Sequence, residues 1–129
     1  MKIDHIAIWT KQLDKLKSFY VDNFSATVYQ QFINPKTQYE SYRLSFPNGV
    51  QLELMQAPDV VKNFHTLTSR VTGYSHLAFS VGSQAEVEKV TDHLRSKGCL
   101  VIDLPRVTGD GYYESIVLDP DGNRIEIKE

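Results

Sequence analysis

The chain has 129 residues with a formal net charge of −2 at pH 7, and 41% of its residues are hydrophobic. That apolar share is enough for a folded core, whereas the small net charge and the lack of a lysine or arginine cluster argue against nucleic acid as a partner. No apolar run approaches the roughly 20 residues of a membrane span, and the single cysteine, Cys99, excludes an internal disulfide. We therefore expect one cytoplasmic domain over residues 1–129 without membrane contact, and a buried structural role for Cys99.

The first half of the chain predicts a strand, a helix and three further strands. The opening "DHIAIWT" alternates as a strand does and does not resemble a signal peptide, and "LDKLKSFYVDNF" places its apolar residues at helical spacing. Strand-like stretches follow, and the last of them, in "FPNGVQLELM", begins after a turn marked by Pro47 and Gly49. These elements define a first module over about residues 3–55.

The second half of the chain repeats this order. "SHLAFSV" matches "DHIAIWT" with a histidine in each, 71 residues apart, and "LDPDGNRIEIK" matches "FPNGVQLELM" with a glutamate in each, 73 residues apart. Between these segments "AEVEKVTDHLRSKG" predicts a helix that stops at Gly98. The second module therefore covers about residues 74–127, and residues 56–73 link the two.

Neither module is large enough to bury its own sheet, so we expect the two to pair. The predicted fold is α+β, with two βαβββ modules that form a curved, barrel-like, mixed eight-stranded sheet and carry their helices on the outside. Successive strand residues point to opposite faces, so Glu126, between Ile125 and Ile127, points away from the aliphatic face. The same rule brings four polar side chains to the concave face, in one cup: His5, Glu53, His76 and Glu126.

Two imidazoles and two carboxylates are a suitable ligand set for one divalent metal ion. Zinc or nickel is the first expectation, with manganese, cobalt and iron left open, and the lack of thiolates argues against a closed structural zinc site. Taken singly, each of the four side chains has an ordinary alternative, which is hydrogen-bonded packing for a histidine and a solvated strand position for a glutamate. Their symmetric placement in the two modules favours a metal centre.

Four further residues are candidates for substrate binding: Arg43, Trp9, Glu114 and Tyr113. Arg43 is predicted to face the cup and to hold a carboxylate or phosphate, although an exposed strand arginine fits as well. Trp9 forms either an apolar wall or part of the core. Glu114 faces inward by the repeat offset, but the apolar run around it leaves the phase open. Tyr113 lies in "RVTGDGYYES", which suits either a flap over a ligand or a plain β turn.

These segments resemble a known superfamily. The pair "DHIAIWT" and "SHLAFSV", the helix "SFYVDNF" and the stretch "TGDGYYESIVLDPDGNRIEI" are similar to those of the vicinal oxygen chelate superfamily, also called the glyoxalase/bleomycin resistance/dioxygenase group. The resemblance covers nearly the whole chain and implies the paired-module fold. It implies less about the reaction, because the superfamily includes isomerases, epimerases, dioxygenases, fosfomycin-modifying transferases and metal-free drug-binding proteins.

Within this group the chain is similar to bacterial lactoylglutathione lyases, whose ligands His, Glu, His and Glu match residue by residue: His5, Glu53, His76 and Glu126. The resemblance implies a glyoxalase-like, metal-dependent isomerase or lyase that acts on a small substrate with vicinal oxygens through an enediolate. Glu126 is then the expected general base, with Glu53 as the symmetric alternative. The other function implied is that of a small-molecule binding protein of the antibiotic-resistance type, with or without metal.

Two further expectations follow from the resemblance. Bacterial glyoxalases share ligands between the modules of two chains, which implies a homodimer here, with the choice between shared and unshared ligands left open. Those enzymes also hold the glutathione carboxylate partly through an arginine four residues after the first histidine ligand, and the matching residue here is Trp9. We therefore predict that the protein is not an efficient lactoylglutathione lyase.

Overall fold

The computed structural model describes residues 1–62, 70 and 72–129. The chain divides into two compact units, Met1–Phe64 and His65–Glu129. The predicted linker, residues 56–73, falls in part on residues 63–69 and 71, which lie outside the described residues. Within the described residues, no helix is long and apolar enough to cross a membrane.

Each module consists of a strand, a helix and three more strands, so the predicted α+β fold of two βαβββ modules is confirmed. The elements of the first module are β1 (Ile6–Trp9), α1 (Leu13–Phe24), β2 (Thr27–Asn34), β3 (Tyr39–Ser45) and β4 (Gln51–Gln56). The elements of the second module are β5 (His76–Ser80), α2 (Gln84–Ser96), β6 (Val101–Val107), β7 (Tyr113–Leu118) and β8 (Arg124–Lys128).

The eight strands form two mixed sheets of four strands each, without a closed barrel in the described part of the chain. The strand orders are β1-β4-β3-β2 and β5-β8-β7-β6. The first strand of each sheet runs parallel to the last strand of its module, and the other pairs are antiparallel. A parallel pair requires a long crossover, and the helix of each module lies within that crossover.

The core of the first module lies between α1 and one face of its sheet. The helix buries Leu16 and Tyr20 completely, and the sheet contributes Leu44 and Leu54, which are also fully buried. The helix ends where Ser25 adopts a left-handed conformation with φ 54°. Because four of the five predicted apolar positions of the helix, Leu13, Leu16, Phe19 and Tyr20, are buried, sequence periodicity and packing agree in this module.

The core of the second module is built in the same way, and its helix begins at a side-chain cap. Ser83 caps α2 by accepting a hydrogen bond from the Glu86 amide at 3.3 Å. The helix buries Val87 and Leu94 against the sheet. The chain leaves the helix through Gly98, whose φ of 87° favours glycine.

Strand alternation leaves the second face of each sheet for polar side chains. In β4 the buried Leu52 and Leu54 flank Glu53, and in β8 the buried Ile125 and Ile127 flank Glu126. The face opposite the helix is called the site face below, and its central members are His5, Arg43 and Glu53 in the first module and His76, Ile116 and Glu126 in the second. The predicted phases of β4 and β8 are correct.

Candidate metal centre

The first module brings a histidine and a glutamate together on its site face. His5 lies just before β1, and Glu53 lies on the neighbouring parallel strand β4. Their facing atoms, His5 Nε2 and Glu53 Oε2, are 3.4 Å apart, and the Glu53 side chain is only 17% exposed. Strand alternation predicted that both residues lie on the same face of the sheet.

The second module repeats the pair in the same orientation. His76 opens β5, and Glu126 lies on the parallel strand β8. His76 Nε2 and Glu126 Oε2 are 3.3 Å apart, and the Glu126 side chain is 11% exposed. Each module therefore presents one imidazole nitrogen and one carboxylate oxygen side by side.

The two glutamates have different neighbours. Arg43 lies directly across from Glu53 on β3 and donates a hydrogen bond from Nη2 to Glu53 Oε2 at 3.2 Å. The Tyr39 hydroxyl donates to Glu53 Oε1 at the longer distance of 3.5 Å. Both oxygens of Glu53 thus have partners within the module. Arg43 is on the predicted face, but it is engaged with a carboxylate of the site.

Glu126 lies in a more apolar setting. Its cross-strand neighbour on β7 is Ile116, at the position that Arg43 occupies in the first module. The nearest cation, Lys128 Nζ, is 3.9 Å from Glu126 Oε1, a distance too long for a hydrogen bond. The same ammonium lies 3.6 Å from the ring centroid of Tyr112, which holds it over the aromatic face.

The two histidines also differ in what their second nitrogen meets. His5 Nδ1 is 2.9 Å from Asp4 Oδ2, and this hydrogen bond lowers the pKa of the Asp4 carboxyl, with a smaller contribution from Arg43. His76 Nδ1 is instead 3.3 Å from the hydroxyl of Ser75. The first histidine therefore has a charged partner and the second a neutral one.

Three aromatic rings lie beside the first pair. Trp9 packs edge-on against Tyr39 with centroids 6.1 Å apart, and Phe32 packs against the same ring at 6.0 Å. Trp9 is 52% exposed within the described chain, so it is not part of the core of its module.

The two remaining candidates for substrate contact lie on opposite faces of β7. Glu114 is paired with Lys128 across the sheet, which places it on the site face. Burial raises the pKa of its carboxyl, and repulsion from Glu126 and Asp110 raises that pKa further. Tyr113 instead donates to Glu88 of α2 at 2.9 Å, on the helix side of the sheet. Strand alternation thus separates Tyr113 from the face that carries Glu126.

The segment before Tyr113 forms a hydrogen-bonded hairpin turn. The Thr108 amide donates to the carbonyl of Tyr112 at 2.8 Å, and the Gly111 amide donates to the carbonyl of Thr108 at 3.0 Å. The sequence "RVTGDGYYES" was compatible with a flap over a ligand or with a plain β turn. These hydrogen bonds are those of a β turn.

The donor atoms of each pair fit a divalent ion. Two ligand atoms about 2.1 Å from a common ion at the tetrahedral angle are roughly 3.4 Å from each other, close to the separations within the two pairs. Each pair provides only two donors, and no group of three or more His, Cys, Asp or Glu side chains is arranged for a metal within the described residues.

Sequence reasoning missed three residues that contact the pairs: Asp4, Tyr39 and Ser75. Asp4 was visible as a difference between the repeats, because the residue before the histidine is Asp4 in one copy and Ser75 in the other. Tyr39 carried no such signal, since it lies at the start of a strand whose register becomes known only from the pairing with β2 and β4.

Comparison with known proteins gives a consistent family and fold. A Bacillus subtilis (strain 168) protein, "Uncharacterized protein YwkD", is 28% identical over 127 residues, which cover 98% of this chain and 95% of that protein. The crystal structure of a glyoxalase family protein from Enterococcus faecalis is 25% identical with a TM-score of 0.81, covering 99% of this chain and 97% of that chain. Glyoxalase I from Zea mays has a TM-score of 0.81 at 22% identity, a likeness of fold that covers 98% of this chain and 44% of the maize chain.

The family assignment rests on a match to a sequence profile. The profile of the Glyoxalase/Bleomycin resistance protein/Dioxygenase superfamily matches residues 2–127, which include both histidines and both glutamates of the two pairs. The match spans nearly all of the 129 residues, and the chain therefore belongs to the Glyoxalase/Bleomycin resistance protein/Dioxygenase superfamily.

Proposed function

We propose that this protein is a glyoxalase-like, metal-dependent isomerase or lyase for a small substrate with two neighbouring oxygens. The observation that carries the proposal is the duplicated pair, with nitrogen to oxygen distances of 3.4 Å and 3.3 Å. These distances exceed those of good N–H···O hydrogen bonds and correspond to adjacent ligands of one ion. Zinc or nickel is the proposed metal, held by four residues: His5, Glu53, His76 and Glu126.

In the proposed reaction Glu126 moves a proton between neighbouring carbons. A divalent ion, when bound, would polarise the two substrate oxygens and acidify the C–H bond between them. Glu126 is the better base of the two glutamates, because Ile116 is its cross-strand neighbour and Lys128 is 3.9 Å away. Glu53 is less free to move, since Arg43 holds its Oε2 and Tyr39 contacts its Oε1.

We further propose that the active form is a cytoplasmic homodimer. One ion needs both pairs, and each pair belongs to a different module. One chain or two chains can supply the two modules at one site, and the family resemblance favours two. Sedimentation should show a dimer at micromolar concentration, and a monomer there would contradict this assembly. Mixing His5→Ala chains with Glu126→Ala chains should restore metal binding to a fraction of sites only when ligands are shared.

The substrate side of the proposal rests on the aromatic wall of the first module. Trp9, Tyr39 and Phe32 offer apolar contact area next to Glu53, which favours a substrate with an apolar or aromatic group. Arg43 is occupied by Glu53 at 3.2 Å and by Asp4 at 3.7 Å. A glutathione carboxylate would have to compete with both for this guanidinium.

Metal binding tests the central proposal. Metal-free protein titrated with Zn²⁺ or Ni²⁺ should bind about one ion per set of four ligands, and His5→Ala or Glu126→Gln should weaken that binding. His93→Ala is a matched control, because His93 lies on the exposed side of α2. Failure to bind either metal stoichiometrically, in protein shown to be folded, would contradict the proposal.

A second measurement tests the substrate. Turnover of the methylglyoxal–glutathione hemithioacetal should be poor and should rise in Trp9→Arg, because a charge-assisted bond contributes about 1.5 to 3 kcal/mol, roughly tenfold to over a hundredfold in affinity. The hemithioacetal of phenylglyoxal with β-mercaptoethanol, which lacks a carboxylate, should be turned over without help from this substitution. Efficient glutathione-dependent turnover that Trp9→Arg does not improve would show that other residues bind glutathione.

A binding role without turnover is the second candidate function. The ion pair of Arg43 with Glu53 favours it, because the guanidinium neutralises this carboxylate without a metal ion. A protein of this kind would retain a small ligand whether or not metal is present. Ligand binding that is unaffected by a chelator, together with absent metal binding, would support this role over the catalytic one.

A further inference from the structure

Asp4 and His5 form a hydrogen-bonded unit that points at Glu53. Asp4 Oδ2 is 2.9 Å from His5 Nδ1, while His5 Nε2 is 3.4 Å from Glu53 Oε2. An ionised carboxylate can only accept hydrogen bonds, so the neutral ring beside Asp4 must carry its proton on Nδ1. The lone pair of Nε2 is then directed at Glu53, which is the tautomer that a metal ligand at Nε2 requires.

Arg43 holds Asp4 in this arrangement. Its Nη1 is 3.7 Å from Asp4 Oδ2, and its Nη2 is 3.2 Å from Glu53 Oε2. The guanidinium thus connects the carboxylate behind the imidazole with the carboxylate in front of it. Because Asp4 lies before β1 and its side chain is 64% exposed, these contacts are what orients it.

The second module lacks the charged partner at the corresponding position. His76 Nδ1 faces the Ser75 hydroxyl at 3.3 Å, and a hydroxyl can either donate or accept. Ser75 therefore does not select one tautomer of His76 as Asp4 does for His5. The residue before each histidine, Asp4 or Ser75, is thus one of the differences between the two modules.

We propose that Asp4 is a positioning residue that fixes the Nδ1-protonated tautomer of His5 and thereby makes Nε2 a ligand before any ion arrives. The ligand part of this inference rests on the proposed metal-dependent function, whereas the tautomer part concerns the protein alone. Partners of this kind behind a ligating histidine typically contribute 10- to 100-fold to metal affinity or activity. Asp4 does not contact the reacting atoms in this scheme.

The tautomer is measured on metal-free protein by ¹⁵N NMR of the histidine rings, at a pH about two units above the ordinary histidine value near 6.5. His5 should be protonated at Nδ1, and Asp4→Ala should move part of its population to the other tautomer. Asp4→Asn should be milder, because its side-chain carbonyl can still accept the Nδ1 hydrogen. His76 is the internal control, since its tautomer should not respond to either Asp4 variant. In a separate variant, Ser75→Asp should bring His76 to the Nδ1-protonated form.

Metal titration of the same variants provides the second readout. Asp4→Ala should bind Zn²⁺ about 10- to 100-fold more weakly, with Asp4→Asn between it and the unmodified protein. Asp22→Ala, which removes an exposed carboxylate from α1, should change neither readout. An unchanged His5 tautomer in Asp4→Ala, or a changed tautomer with unchanged metal affinity, would overturn the inference. A changed tautomer in a protein that binds no metal in any form would instead refute the proposed function and leave the tautomer assignment standing.

Discussion

The two modules share one architecture but give their glutamates different surroundings. Glu53 faces Arg43 across the sheet, and Glu126 faces Ile116 at the equivalent register position. The first carboxylate has a guanidinium at 3.2 Å, whereas the closest cation to the second, Lys128, is 3.9 Å away. The repeat preserves the position of the carboxylate in each module. The single residue across from it on the neighbouring strand determines how firmly that carboxylate is held.

The histidines extend this contrast between the modules. Asp4 and Arg43 are charged neighbours of the first pair, whereas the residues at the equivalent positions of the second module, Ser75 and Ile116, are neutral. In the proposed enzyme the two modules therefore have different roles. The first module supplies anchored ligands, and the second supplies the carboxylate that moves a proton.

The largest expected effect comes from replacing the two glutamates one at a time. Glu126→Gln should lower turnover of the phenylglyoxal hemithioacetal by about 10²- to 10⁴-fold, the usual contribution of a general base, while metal affinity falls less. Glu53→Gln should weaken metal binding by more than about tenfold, because an anchored ligand is lost. Steady-state kinetics and metal titration of both variants give the comparison.

The matched control for these variants is Glu86→Gln, which removes an exposed carboxylate from the first turn of α2. It should leave both measurements unchanged. Equal losses of turnover and of metal affinity in Glu53→Gln and Glu126→Gln would mean that the two carboxylates have the same role, contrary to the difference in their neighbours.

A smaller effect is expected when Glu126 is given an arginine as its cross-strand neighbour, as Glu53 has in the first module. Ile116→Arg places a guanidinium across from Glu126, where it should form an ion pair like that of Arg43 with Glu53. An ion-paired carboxylate is a weaker base, so we expect turnover to fall by roughly tenfold with little change in metal affinity. Ile116→Gln, which introduces a shorter polar side chain without charge, is the control. A similar loss in both variants would indicate a steric effect.

The helix-facing sides of the modules differ as well, and stability measurements should resolve this difference. In the second module Thr91 and Ser115 are buried with their hydroxyl oxygens 2.6 Å apart, whereas in the first module the Tyr42 hydroxyl donates to Asp14 at 3.0 Å on the surface. Thr91→Val should cost about 1 to 3 kcal/mol of unfolding free energy, and Tyr42→Phe less than about 1 kcal/mol. Denaturant titration provides both values.

A double variant sharpens that prediction. Thr91→Val together with Ser115→Ala removes both hydroxyls, so neither is left buried without a partner, and part of the lost stability should return. Additive losses in the double variant would show that the two hydroxyls do not form one interacting pair in solution.

The smallest expected effect concerns the thiol of Cys99, which belongs to the second module. Burial raises the pKa of Cys99 above its ordinary value of 9.0, and Asp119 adds to this shift. Because the thiolate is the reactive form, modification by a disulfide reagent should be slow at pH 7 and should still be rising above pH 9. The same rate in native protein and in urea would contradict a protected thiol.

The sequence by itself determined the repeat, both helices and the phase of the strands that carry the glutamates. Glu53 lies between Leu52 and Leu54, and a strand that buries its leucines under a helix has one other face for the carboxylate. This argument uses only neighbours in the chain, and it places both glutamates on the face of their sheets opposite the helices. The family could likewise be recognised from local segments.

Only the tertiary structure decided which side chains surround those pairs. Arg43 was predicted to face the site, but that it binds Glu53 depends on the register of β3 against β4. Tyr113 points to Glu88 on α2 because β7 has the opposite phase from the one that a substrate role requires. The orientation of Asp4 behind His5 depends on Arg43, which is distant in sequence. Periodicity specifies the face of a strand, whereas contacts between strands depend on register and side-chain reach, which are properties of the folded chain.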